Sequence, residues 1–256
     1  MMKSLVTLLC MTSMLCAEEI SGHSKLLWLK ADEGVELDAD GRVALWRDQS
    51  GNGMDAGQTE IARRPEHSPS LNSLPAVLFR KEGGVMLETA PVSLPAQYTV
   101  FAVIDIKKIQ FSVVMSQPAR ETQDLKSLGL VIASGRDRNL NGVAIRTPAG
   151  RADSSWDKTE LQWLKAEPSI LTFVMDGEAT PFSVTYFRNG EPAGASGGKF
   201  GASAAESLVI GGTLPSWPSL GGDISELLIY NGALSPKDRQ KVEAYLSDRY
   251  GISVKQ

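Results

Sequence analysis

The acidic residues are the first candidates for catalysis, because hydrolysis of a glycosidic bond uses two carboxyl groups, one on each side of the bond. Glu36, Asp38 and Asp40 alternate along the chain, so on a β-strand they would share one face. They run directly into Gly41, which is typical of a tight turn. We therefore expect a solvated hairpin arm here rather than a catalytic pair.

A second acidic pair, Asp223 and Glu226, lies closer to the C-terminus. The two residues are three positions apart, so we expect them on opposite faces of a strand. We expect Glu226 to make a local hydrogen bond or ion pair. No catalytic residue is assigned from the sequence.

Thiol and histidine chemistry has little support. The two cysteines, Cys10 and Cys16, both lie in the N-terminal stretch, and the two histidines, His23 and His67, are far from each other in the sequence. A Ser-His-Asp triad needs a histidine held between its two partners. We expect neither a hydrolase triad nor a zinc–thiolate site.

A glycine-rich polar run is the candidate metal site. Asp48 and Asn52 supply oxygen atoms, Asp55 follows, and calcium prefers six to eight oxygen ligands. Calcium coordinated by Asp48 and Asn52 is the cofactor that this run suggests. The alternative is a turn in which the same side chains bind neighbouring backbone N–H groups.

The tryptophans divide into two groups. Trp28 and Trp46 lie in apolar runs, so we expect them to pack in a core. Trp156, Trp163 and Trp217 lie in polar segments, where an aromatic face beside polar groups is suited to stack on a sugar ring. Trp217 is the strongest candidate because prolines flank it in Pro215-Ser216-Trp217-Pro218. The alternative for all three is an aromatic ring that caps the end of the core.

Arg136 lies in a polar run, 134–139, and its guanidinium group is able to bind hydroxyls or carboxylated sugars. The alternative is a solvated loop. The formal net charge is −4. Because a nucleic-acid-binding surface needs a basic stripe, we expect no nucleic-acid partner.

The first seventeen residues are typical of a secretory signal peptide. Lys3 gives a short positive start, the stretch 5–15 is mostly apolar, and Ala17 supplies a small residue for cleavage before two acids. The stretch is too short for a membrane span. We therefore expect a secreted protein, periplasmic or extracellular, with one domain over 18–256. A buried N-terminal strand, an anchor helix or a lipid at Cys16 are the alternatives.

Beyond residue 17, short apolar runs alternate with turn residues. The run 98–106 is rich in β-branched and aromatic residues, and Asp40-Gly41 and Asn189-Gly190 are hairpin-turn signals. About a dozen such runs without intervening helices predict an all-β fold of two packed antiparallel sheets.

One helix is predicted, at the C-terminus. Ser235 is suited to the N-cap, Pro236 to the first turn and Gly251 to the C-terminal cap. Between them, apolar residues recur at helical spacing on one face. They are Val242, Tyr245, Leu246 and Tyr250.

Several of these segments resemble bacterial LamG-like jelly-roll domains of the concanavalin A-like lectin/glucanase superfamily. The similarity covers about residues 25 to 251. The segments are 27–32, 43–53 with Trp46-Arg47-Asp48-Gln49-Ser50-Gly51-Asn52-Gly53, 64–77, 208–212, 222–231 with Gly222-Asp223-Ile224-Ser225-Glu226, and 234–251.

The resemblance implies a jelly-roll β-sandwich with a short C-terminal helix. The superfamily includes lectins, adhesion modules, carbohydrate-binding modules, glucanases and lyases, so fold alone does not choose a function. Related domains often hold a calcium ion at the rim. The Glu-x-Asp-x-x-Glu strand of the glucanases is absent here.

Together these features favour a secreted, noncatalytic binding module that recognises carbohydrate or a cell-surface protein through its rim loops. Trp217, Trp156, Trp163 and Arg136 are the expected contacts. Two alternatives remain at this point. One is a divergent glycan-active enzyme, a hydrolase or lyase, and the other is a structural or adhesive domain without a small ligand.

Overall fold

The computed structural model describes residues 22–69, 71–82, 84–106, 112–118, 129–134, 141–147, 150–151, 167–179, 182–198, 205–212 and 219–255. Within these ranges the chain forms seventeen strands and one α-helix. Every pairing between the strands is antiparallel. The strands form two sheets, which we name sheet A and sheet B.

Sheet A has eight strands. They are β1 (Lys25–Lys30), β5 (Glu66–Pro69), β6 (Pro75–Phe79), β8 (Gln97–Ile106), β13 (Ser169–Asp176), β14 (Phe182–Arg188), β15 (Glu191–Gly198) and β17 (Gly222–Asn231). Their spatial order is β15-β14-β13-β8-β17-β6-β5, and β1 also pairs with β17. The long strands β8 and β17 therefore form the centre of the sheet.

Sheet B has nine strands. They are β2 (Val35–Leu37), β3 (Val43–Trp46), β4 (Ala56–Gly57), β7 (Leu87–Val92), β9 (Ser112–Ser116), β10 (Gly129–Ser134), β11 (Asn141–Thr147), β12 (Gly150–Arg151) and β16 (Glu206–Ile210). Their order is β12-β11-β10-β9-β16-β7-β4-β3-β2. The prediction of a two-sheet antiparallel β-sandwich is confirmed.

The central strands of sheet A are buried on both faces. Along β8, Val100, Ala102 and Ile104 belong to the main core cluster, whereas Phe101 and Val103 belong to a second cluster. Successive side chains on a strand point to opposite faces, so the two clusters lie on opposite sides of the sheet. This explains why β8 reads as a continuous apolar run rather than as an alternating one.

The C-terminal helix α1 (Pro236–Tyr250) covers the outer face of sheet A. Its buried residues Val242, Tyr245 and Leu246 pack in the same cluster as Phe101 and Leu228 of the sheet. Burying this apolar stripe is what attaches the helix, because burial stabilises by about 25 cal/mol per Å² of apolar surface. The molecule thus has three layers, which are sheet B, sheet A and α1.

The ends of α1 are set by the residues that the sequence indicated. The Ser235 side chain accepts a hydrogen bond from the backbone N–H of Asp238, and Pro236 occupies the first turn. Gly251 adopts a left-handed conformation with φ of 66°, which favours glycine. The predicted helix and both of its caps are confirmed.

The hairpin between β14 and β15 turns at Asn189 and Gly190, whose φ angles are 49° and 79°. Two positive φ values in succession are typical of the turns that suit the twist of a hairpin. The C-terminal tail crosses this turn, and the N–H of Lys255 donates to the carbonyl of Asn189 at 2.8 Å. The predicted Asn-Gly turn is confirmed. Over the described residues, no helix is both long enough and apolar enough to cross a membrane.

Candidate functional site

The sequence-predicted sugar contacts, Trp156, Trp163, Trp217 and Arg136, all lie outside the described residues. Their roles stay predictions.

Of the two strand tryptophans, one packs in the interior as expected and the other does so in part. Trp46 is fully buried in the main core. Trp28 is half-buried against the cluster beneath α1.

The candidate calcium ligand Asp48 directs its carboxylate towards the protein main chain. Its Oδ1 accepts from the N–H groups of Trp28 and Ser50, both at 2.9 Å. Its Oδ2 accepts from the Ser50 hydroxyl at 2.7 Å and from the Met54 N–H at 3.0 Å. A carboxylate has about four lone-pair positions, so these four bonds occupy it fully.

Asn52 uses its amide as a donor. Its Nδ2 donates to the carbonyls of Lys25 at 2.8 Å and Leu26 at 3.0 Å. Asp55 in turn accepts from the backbone N–H of Asp48 at 2.8 Å. These side chains hold the run 48–55 against β1.

Calcium needs oxygen atoms that converge on one point with free lone pairs. The arrangement of Asp48 and Asn52 does not fit that requirement, because the carboxylate is occupied and the amide presents N–H groups. Over the described residues, no three His, Cys, Asp or Glu side chains form a group suited to a metal ion. Calcium binding at Asp48 and Asn52 is thus an expectation from the sequence that these hydrogen bonds do not support.

Glu226 on β17 is completely buried yet has four polar partners. It accepts from Trp28 Nε1 at 2.6 Å, from the Tyr245 hydroxyl at 3.1 Å and from the Tyr250 hydroxyl at 2.8 Å. The Nε of Arg249 lies 3.4 Å from its Oε2. Burial raises the pKa of Glu226, and these hydrogen bonds and the positive charge oppose that rise. The expected role of Glu226 in a local polar network is confirmed.

The expectation that Asp223 and Glu226 point to opposite faces is wrong. Ser225 is an extra residue in β17, since Ile224 pairs with Ile104 and Glu226 pairs with the next residue along, Val103. This β-bulge shifts the alternation by one position, so both acids face outward from sheet A. A bulge depends on the partner strand, and the sequence of β17 alone carried no signal for it.

Two further acids occupy the outer face of sheet A or the helix above it. Asp105 of β8 pairs directly with Asp223 of β17, and the two are 4% and 8% exposed. Glu243 of α1 is 1% exposed, forms an ion pair with Arg239 and accepts from the Thr172 hydroxyl at 2.8 Å. Burial raises the pKa of Glu243, which these contacts oppose.

Glu243 is a buried acid that was not predicted from the sequence. Helical spacing places it on the same face as Arg239, Val242 and Leu246, so its position in the apolar stripe was available as a signal.

The sequence also contains a pattern that is typical of a serine nucleophile but was not predicted to be one. Gly194-Ala195-Ser196-Gly197-Gly198 matches the Gly-x-Ser-x-Gly pattern of α/β-hydrolases. In those enzymes the serine sits on a sharp turn from a strand into a helix. Here the segment lies within β15 and pairs with β14. It is therefore a strand, not a nucleophile turn.

The fold is shared with solved β-sandwich structures of several kinds. Domain 4 of AbnA, a GH43 extracellular arabinanase from Geobacillus stearothermophilus solved in complex with arabinotriose, has a TM-score of 0.58 at 16% identity, covering 87% of this chain and 98% of that one. The botulinum neurotoxin type G receptor binding domain has a TM-score of 0.54 at 9% identity, covering 88% of this chain and 51% of that one.

A Trypanosoma rangeli sialidase in complex with the inhibitor DANA has a TM-score of 0.53 at 16% identity, covering 89% of this chain and 33% of that one. This chain thus spans about half of the toxin domain and a third of the sialidase. No protein-family model matches the sequence, and no curated protein matches it either. At these identities the similarity establishes the class of fold, a two-sheet β-sandwich, and not an activity.

Proposed function

We propose that the chain is a secreted, noncatalytic binding module of the LamG-like jelly-roll type, which recognises carbohydrate through its rim loops. The observation that carries the proposal is the covered outer face of sheet A. Helix α1 packs on the centre of that face, where Asp105, Asp223 and Glu226 are buried, whereas Glu66 on the edge strand β5 is 41% exposed.

A glycosidase needs two carboxyl groups that reach opposite sides of one sugar linkage. Glu226 and Glu243 are at most 1% exposed, and their oxygens bind tyrosine, tryptophan, threonine and arginine side chains. Asp105 and Asp223 are at most 8% exposed. A polysaccharide has no access to these four acids, which argues against hydrolysis by them.

The solved structures with the same fold support carbohydrate as the ligand class. One of them is a domain of an arabinanase in complex with arabinotriose, and another is a sialidase. The toxin domain is described as receptor binding, which makes a cell-surface protein the alternative partner. Secretion is proposed from the signal-like residues 1–17.

Within this proposal the contacts are Trp217, Trp156, Trp163 and Arg136. Tryptophan rings stack on the C–H faces of sugars, and a guanidinium group binds hydroxyls or carboxylates in a fixed geometry. Trp217 is the leading contact because Pro215 and Pro218 restrict the backbone around it.

The proposal is tested on a glycan array that includes arabino-oligosaccharides, followed by titration of the best ligand with and without EDTA. Trp217→Ala is expected to weaken binding about two- to twelvefold, taking the ring–sugar contact as equal to an aromatic pair, which contributes about 0.5–1.5 kcal/mol beyond its buried area. Its Tm is expected to stay within about 2 °C of wild type.

The matched control is Ile61→Ala, which removes an apolar side chain that is 55% exposed. It is expected to leave both affinity and Tm unchanged. If Trp217→Ala instead lowers the Tm by many degrees while affinity is retained, Trp217 is a core residue and not a contact. If the array shows no bound glycan and the protein binds a cell-surface protein, the ligand is a protein and the carbohydrate proposal is wrong.

A further inference from the structure

We infer that residues 48–52 form a clasp that closes the open edge of β1, and that the clasp works without a cation. The inference is independent of the proposed function, because it concerns how this segment binds another part of the same chain.

The edge in question belongs to sheet A. Among the described strands, β1 pairs with β17 alone, so its other side faces no strand. An uncovered strand edge presents unpaired N–H and C=O groups and is a template for pairing with another chain. Proteins therefore cover such edges with loops, charges or bulges.

The backbone groups of alternate β1 residues face this open side and are bound there. The carbonyl of Lys30 accepts from Trp46 Nε1 at 2.8 Å. The N–H of Trp28 donates to Asp48 Oδ1 at 2.9 Å, and the carbonyl of Trp28 accepts from the Gln49 N–H at 2.7 Å. Trp28 is thus satisfied on both its donor and its acceptor, as it would be beside a neighbouring strand.

The start of β1 is bound in the same way. The carbonyl of Leu26 accepts from the Ser50 hydroxyl at 3.3 Å and from Asn52 Nδ2 at 3.0 Å. Asn52 Nδ2 also donates to the carbonyl of Lys25 at 2.8 Å. Most of these partners are side-chain atoms, so residues 48–52 take the place of a strand without forming one.

A cation would oppose this arrangement. It would compete with Trp28, Ser50 and Met54 for the oxygens of Asp48, and the amide donors of Asn52 already face carbonyl oxygens. Two glycines permit the compact turn, because Gly51 and Gly53 have φ of 88° and 70°. The geometry serves main-chain capping rather than metal coordination.

Asn52→Asp separates the clasp from a calcium site. The change keeps the size of the side chain but replaces its donors by a carboxylate that faces the carbonyls of Lys25 and Leu26. For a clasp, we expect the Tm to fall by about 5 °C, as loss of two hydrogen bonds in a domain of this size implies, and 5 mM calcium chloride not to restore it. A calcium site would gain a second carboxylate, so a variant Tm at or above wild type in calcium would overturn the inference.

The matched control is Asp40→Ala, an exposed acid in the nearby turn between β2 and β3, which is expected to leave the Tm unchanged. A second measurement uses the wild-type protein and needs no variant. Titration with calcium chloride in a calorimeter is expected to give no saturable heat, and the Trp28 amide is expected to be protected from hydrogen exchange. Saturable heat that Asp48→Asn removes, or a Trp28 amide that exchanges as fast as an exposed one, would overturn the inference.

Discussion

Donors from two elements converge on the buried carboxylate of Glu226. Trp28 comes from β1, whereas Tyr245 and Tyr250 come from α1. A buried carboxylate without such donors would be strongly unfavourable. Glu226 therefore joins the edge strand, the centre of sheet A and the helix at one point.

The charged and titratable groups around Glu226 come from α1, β1 and β17. Arg249 of α1 is the nearest cation and also pairs with Asp32, which follows β1. On the sheet, Lys30 lies opposite Glu226 on β1, and Tyr230 lies on β17 itself. The net effect of these surroundings is a raised pKa, with burial as the largest cause.

This raised pKa predicts how stability changes with pH. In an unfolded chain a glutamate has a pKa of about 4.3, so between that pH and its raised pKa the folded protein holds the proton more tightly. The free energy of unfolding is therefore expected to fall as the pH rises from about 4.3 through the folded pKa. Glu243 has a raised pKa as well and contributes in the same direction.

Urea denaturation at a series of pH values between 4 and 8 checks this prediction. Glu226→Gln removes the titration and is expected to reduce the slope. Glu60→Gln, at a side chain that is 59% exposed, is the matched control and is expected to keep it. A slope that is the same in Glu226→Gln and wild type would show that Glu226 does not titrate in this range.

At the scale of elements, α1 depends on its N-terminal cap. The Ser235 side chain satisfies the N–H of Asp238, which has no partner within the helix. Ser235→Ala is expected to lower the free energy of unfolding by about 1 kcal/mol, measured by urea denaturation at constant pH. Lys237→Ala, an exposed first-turn residue, is the control and is expected to change stability by less than about 0.5 kcal/mol. Equal effects of the two substitutions would contradict the assigned cap.

The helix was predictable from the sequence, whereas the bulge in β17 was not. Helix signals are local, since Ser235, Pro236 and Gly251 each act within one turn of the chain. The extra residue Ser225 exists only relative to β8, which lies more than a hundred residues earlier. The contact between the polar turn at 48–53 and the edge of β1 also joins separate parts of the chain. The sequence therefore indicated the turn but not the strand that it binds.

In the molecule as a whole, the three-layer architecture determines which surfaces are exposed and available for recognition. Sheet A faces the core on one side and α1 on the other, and its β1 edge is covered by residues 48–52. The two-sheet architecture was predictable because apolar alternation and turn residues recur along the chain. The third layer was partly visible as well, because the unbroken apolar run of β8 requires cover on both faces.

The sequence was sufficient to name the candidate binding residues, but it did not predict whether they lie near one another. Tryptophan and arginine in polar segments indicate sugar contacts by residue type alone. Residue type alone does not determine whether these four side chains share one surface. Trp217, Trp156, Trp163 and Arg136 therefore stay predictions of the account.

The most direct test of a noncatalytic glycan-binding module is a paired assay on insoluble polysaccharides, arabinan among them. The same samples are measured for protein retained on the polymer and for reducing ends released over a day. We expect retention on at least one polysaccharide with no increase in reducing ends above a buffer control. A steady release of reducing ends would contradict the account and assign the chain an enzymatic role.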